Sequence, residues 1–160
     1  MHTNIGSIHR QNTQATPAAL SSDAIRDAFR MLPPALDFVL PGLLASTLGT
    51  IVSPSGTGKS MLAMEIAVAI AAKVDLTNGA LAATTSGSVT YLAAEDPPSV
   101  LLHRLHILGQ HLQPIAREAV SDGLRIVPLI GATPQLLTAQ GRINPQGRDQ
   151  MCRWAAGQRL

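Results

Sequence analysis

The sequence predicts an α/β domain built on a parallel sheet with flanking helices. Three observations predict it. Short apolar runs alternate with helix-like stretches in the order strand, helix, strand, helix, strand, helix. The strand-like runs are apolar at nearly every position, as strands covered on both faces are. A glycine-rich loop, residues 53–60, lies between the first such run and the first long helix.

Each element has its own signal. Residues 1–21 mix Asn, Gln, Thr, Ser and Ala without a period and read as a flexible N-terminal arm. Ser22 and Asp23 can cap a short helix reaching Met31, with Ile25, Ala28 and Phe29 at helical spacing. Pro33-Pro34 ends it, because a residue before proline is pushed out of the α region. Leu36 to Leu44 is an apolar connector broken by Pro41-Gly42, and Leu48 to Val52 reads as a buried strand. Lys59 to Ala72 reads as a helix apolar nearly all round, which must be covered on most sides. A Gly/Asn/Thr/Ser loop over 73–87 leads to a second strand, Ser88 to Ala94. Asp96 stands at the expected N-cap and Pro97 at the first position of a helix running to about Leu112. Leu124 to Ile130 is the third strand. A loop over 131–145 precedes a last helix, Gln146 to Arg159.

Composition narrows the class. With 160 residues, 46% apolar and 14% charged, the chain suits one domain with a real core and excludes a disordered one. Aromatics are 2%, so Leu, Ile, Val and Ala must build that core. The formal charge of +2 rests on few charges and is no nucleic-acid footprint. Arg142, Arg148, Arg153 and Arg159 read as a solvated helix face rather than a DNA patch. His103 and His106 read as surface residues, since no Cys, Asp or Glu set completes a zinc spacing. The single Cys152 cannot pair within the chain, which suits a reducing compartment. No leader is recognisable, and the most apolar run, Met61 to Ala72, is shorter than the roughly 20 residues of a span. These features predict a cytoplasmic protein without a membrane partner.

Ser53-Pro54-Ser55-Gly56-Thr57-Gly58-Lys59-Ser60 fits the phosphate-loop pattern G-x-x-x-x-G-K-[ST] except at its first position, where Ser53 replaces glycine. The plainer alternative is a Gly/Ser turn before an ordinary helix. The strand before and the helix after favour a nucleotide site. Ser55, Gly56, Thr57, Gly58, Lys59 and Ser60 are then the binding residues. The glycines let the chain curl with positive φ and bring N–H groups to phosphate oxygens. The helix N-terminus adds partial positive charge. Lys59 reaches the β- and γ-phosphates of ATP, and the Ser60 hydroxyl ligates Mg²⁺. Ser53 is expected to take a tight-turn backbone usual for glycine.

Glu95 ends the second strand, and ligands of open α/β sheets lie beyond the carboxyl ends of strands. A carboxylate there can polarise an attacking water; a solvated loop acid is the alternative. Arg104, on the helix that follows, can point back and hold Glu95 or a phosphate oxygen, or lie on a solvated face. No later apolar strand ends in an acid that could serve Mg²⁺. The sheet therefore reads as the N-terminal part of a RecA-like domain over 22–160, truncated before its Walker B strand.

Several stretches carry a resemblance: Leu32 to Pro41, SPSGTGKSMLA at 53–63, YLAAEDPPS at 91–99, HRLHILG at 103–109 and DGLRIVPLIG at 122–131. Together they resemble the RepA-type hexameric replicative DNA helicases of broad-host-range plasmids, RecA-like P-loop ATPases, over roughly residues 24–160. The likeness implies a ring-shaped homo-hexamer that moves along single-stranded DNA and hydrolyses ATP between subunits. It implies phosphate and Mg²⁺ roles for Lys59 and Ser60, a catalytic role on water for Glu95, and a place in the active-site network for Arg104. It also implies a serine at the first loop position. The family's Walker B aspartate, arginine finger and DNA loops would fall beyond Leu160. Two other readings stand beside it: a truncated, non-catalytic product that binds nucleotide or subunits, and another RecA-like regulatory ATPase.

Overall fold

The computed structural model describes residues 19–132 and 134–156. The arm expected over 1–21 falls, up to residue 18, outside the described residues, as do Arg159 and Leu160. The chain divides into two units on either side of the Ala35–Leu36 bond.

In the first unit, helix α1 spans Ser22–Ala28. Its cap is Ser21, whose hydroxyl accepts the Ala24 N–H at 3.1 Å, rather than Ser22 or Asp23. The helix stops short of Met31. The N–H groups of Arg30 and Met31 both turn back to the Asp27 carbonyl, closing the end with tight turns. No residue of α1 is buried, so its apolar face has no packing to extend it.

The second unit begins with a hairpin the apolar connector did not announce. Strand β1, Phe38–Leu40, pairs antiparallel with β2, Leu43–Leu44. The turn is Pro41-Gly42, with Gly42 at φ +81°. Proline presets the first corner of such a turn, and the second needs positive φ. The predicted strand Leu48–Val52 is not formed: the segment runs without regular structure into the phosphate loop. A strand exists only as part of a ladder, and no described residue pairs with this segment. Leu48 and Val52 are 93% and 86% exposed.

Helix α2, Lys59–Ala72, is the centre of the unit. None of its residues is exposed, and Met64 and Val68 are fully buried. The chain leaves it through Lys73 in the left-handed region. In the loop that follows, the Thr77 and Gly79 amides donate to the Asp75 carboxylate. Those bonds, Thr77's first, hold its carboxyl below the usual range.

Strand β3, Val89–Ala93, pairs in parallel with β4, Leu124–Pro128, in the register Val89↔Leu124 to Ala93↔Pro128. Between them run α3, Pro98–Gln110, and α4, Pro114–Gly123. The single helix expected to end near Leu112 is thus followed by a second. Pro114 opens it, at a position where the missing N–H costs nothing. Gly123, at its end, lies beside Ala71 of α2: a Cβ added there would meet Ala71 at 3.4 Å, an ordinary contact. One face of the β3–β4 pair, with Tyr91, Ala93, Leu124 and Ile126, joins Met64, Val68, Leu101, Leu108, Leu112 and Ala116 in the core.

Helix α5, Pro145–Ala155, starts on Asn144, whose side chain accepts the Gln146 N–H. Its last turn meets the other face of the sheet. Thr90 and Arg125 are register partners. The Thr90 hydroxyl donates to the Ala155 carbonyl at 3.3 Å, and Arg125 to that of Trp154 at 2.9 Å. An arginine there complements the negative end of the helix dipole. Helices therefore flank both faces of a small parallel sheet, an α/β arrangement of the P-loop type. Among the described residues no helix is long and apolar enough to cross a membrane.

Candidate functional site

The glycine-rich loop curls where its composition requires. Gly56 and Gly58 have φ of +78° and +87°. An added Cβ would meet nothing within 4 Å at either, so the backbone conformation, not crowding, demands glycine. Ser53 does not take the left-handed backbone expected of the first position, since it is absent from the positive-φ residues. Instead its hydroxyl shares a hydrogen bond with that of Thr57, which in turn donates to the Pro54 carbonyl at 2.9 Å. Lys59 crosses the loop from the far side. Its Nζ donates to the carbonyls of Ser53 at 2.8 Å and Pro54 at 2.6 Å. The N-cap of α2 is Gly58, which brings no side chain to cap the helix. The first N–H groups of α2 thus have no capping side chain and carry the positive end of its dipole.

A cleft of about 410 Å³ opens at this helix end. Ser55, Gly56, Gly58, Lys59, Ser60 and Met61 line it, together with Glu95 and Arg104. Thr57, also named from the loop pattern, belongs to the loop's internal bonding rather than the lining. Glu95 lies in the bend after β3 and is exposed.

Asp96 does not cap the helix. The N-cap is Pro97, with Pro98 inside the first turn, because two successive prolines move the start one residue on. The freed carboxylate takes Arg104 from both sides: one oxygen pairs with Nη1, the other with Nη2 at 3.1 Å. Arg104 therefore holds Asp96 rather than Glu95.

Three contributors escaped the motif reading. Besides Asp96, Met61 lines the cleft. Tyr91 donates its hydroxyl to the Ser60 carbonyl at 3.2 Å, tying β3 to the start of α2. Burial raises the Tyr91 phenol above its ordinary value of 10; Arg104 opposes that, and Asp96 and Glu95 add to it. The available signal was alternation: Tyr91 and Ala93 face the helix side of the strand, two residues apart.

The positive-φ glycines, the lysine folded across the loop and the exposed acid after β3 meet at one cleft whose chemistry suits a phosphate-bearing ligand. The AAA domain family model matches residues 14–157, nearly the whole chain. That is a family of P-loop ATPases, and this chain belongs to it.

Proposed function

We propose that this chain is the ATP-binding portion of a plasmid replicative DNA helicase of the RepA type. In that reading it binds ATP with Mg²⁺ and serves a homo-hexamer moving on single-stranded DNA. The observation that carries the ATP reading is the convergence of Lys59, Ser60, Glu95 and Arg104 on one cleft. The helicase assignment draws its support from the stretches that resemble that family, from 32–41 to 122–131.

The residues present fit both ATP and the metal ion. The uncapped start of α2 offers N–H groups to phosphate oxygens. Lys59 exchanges its two carbonyl partners for the β- and γ-phosphates. Ser60, the first residue after it, offers its hydroxyl as a ligand for Mg²⁺. The metal, when bound, supplies positive charge to the phosphates. Glu95 accepts the proton of the attacking water, and Arg104 offsets charge on the phosphate that leaves.

Titration calorimetry with MgATP on the wild-type chain and Lys59→Ala tests this reading. We expect the variant to lose about a hundredfold in affinity, as when a charged partner of a phosphate is removed. Equal affinity in both would end the nucleotide reading. Turnover stimulated by single-stranded DNA and absent from Lys59→Ala then separates the helicase from a regulatory ATPase. Binding without turnover would leave the non-catalytic alternative.

A further inference from the structure

We propose that Asp96 is a positioning residue that holds the Arg104 guanidinium over the phosphate loop and keeps it off the adjacent Glu95. The inference deepens the nucleotide reading, on which its functional consequence rests. Asp96 grips Arg104 with both carboxylate oxygens. The Arg104 and Asp96 side chains are only 26% and 19% exposed, so water competes weakly for the pair. Arg104 lines the cleft beside Lys59 and Ser60, whereas Asp96 does not. Asp96 thus acts through the arginine and not on the ligand.

Glu95 and Asp96 are consecutive, so one arginine has two carboxylates within reach. Among the described residues no cation pairs with Glu95. An arginine on Glu95 would occupy the lone pairs with which a base accepts a proton. By taking Arg104, Asp96 leaves Glu95 an acceptor and the guanidinium fixed at the rim of the cleft. Ser60, whose carbonyl accepts the Tyr91 hydroxyl at the start of α2, shares its cleft with Glu95 and Arg104.

Two readouts on the full chain test this. The first needs no nucleotide: rotation of the Arg104 guanidinium, followed by NMR in the wild type, Asp96→Ala and Asp96→Ala/Glu95→Gln. We expect slow rotation in the wild type, slow rotation in Asp96→Ala because the guanidinium moves to Glu95, and free rotation in the double variant. Free rotation in Asp96→Ala overturns the proposal. The second is MgATP affinity. Asp96→Ala should weaken it about tenfold, the scale of one misplaced charge-assisted bond. Adding Glu95→Gln should restore most of that loss. Wild-type affinity in Asp96→Ala, or a loss that Glu95→Gln leaves in place, overturns the proposal. A purely structural role predicts no such rescue, because Glu95→Gln cannot repair packing. Should Asp96→Ala unfold, Asp96→Asn gives the same comparison with the shape kept. Equal MgATP binding by the wild type and Lys59→Ala would mark failure of the nucleotide reading instead, and guanidinium rotation then decides the Asp96 proposal alone.

Discussion

Helix α2 is covered unequally on its two sides. One side sends Met64 and Val68 into the cluster with Ala93, Leu101, Leu108, Leu112 and Ala116. The other, with Ala63 and Ile66, lines an apolar groove of about 400 Å³ together with Leu40, Leu43, Ile51 and Leu81. Beside that groove, Leu48 and Val52 face outward. Both sides are equally apolar in sequence. Apolar side chains create the demand for cover, but only a paired strand or a docked helix meets it. β3, α3 and α4 do so on the first side; on the second, the 48–52 segment approaches without a ladder.

Loss of volume on the sealed side should have the largest effect. Met64→Ala should cost about 3 kcal/mol of unfolding free energy in urea titration, since a fully buried methionine leaves a cavity. A loss under about 1 kcal/mol would show that the cluster is not the core. Next comes the bond between β3 and α2. Tyr91→Phe should cost about 1 kcal/mol at neutral pH, the net worth of one hydrogen bond. It should also change the alkaline limb. Above pH 10 the unfolded phenol sheds its proton while the folded one, with its raised pKa, keeps it. Stability is therefore lost as pH rises from 10 through the folded value. That loss should be present in the wild type and missing in Tyr91→Phe; identical limbs would contradict the burial of this hydroxyl. The smallest effect belongs to the open side. Val52→Ser should change stability by no more than about 0.5 kcal/mol, because the side chain is already in water. A large loss there would mean that the segment is packed after all.

The candidate site was more legible than the sheet. The spacing of Gly56, Gly58, Lys59 and Ser60 carries its own geometry, because positive φ and a helix N-terminus are local properties. Glu95 was singled out from its place at a strand end, and it lines the same cleft as Lys59. The partner of Arg104 was not legible. Glu95 and Asp96 are adjacent in sequence, and it is Asp96, before the start of α3 at Pro98, whose carboxylate meets the guanidinium. The strand over 48–52 failed for a related reason. A continuous apolar run states that a segment seeks burial, without naming the neighbour that would pair with it.

What is local was already written in the residues: the phosphate loop and its helix, and two strands close to Val89–Ala93 and Leu124–Pro128. Tertiary structure alone decided which face of that pair joins the core and which receives the end of α5 through Thr90 and Arg125. It alone left Leu48 to Val52 without a ladder and gave Arg104 to Asp96. The physical reason is shared. Backbone propensity and capping act within a few residues, whereas pairing, burial and charge partnership are settled only between segments that the fold brings together.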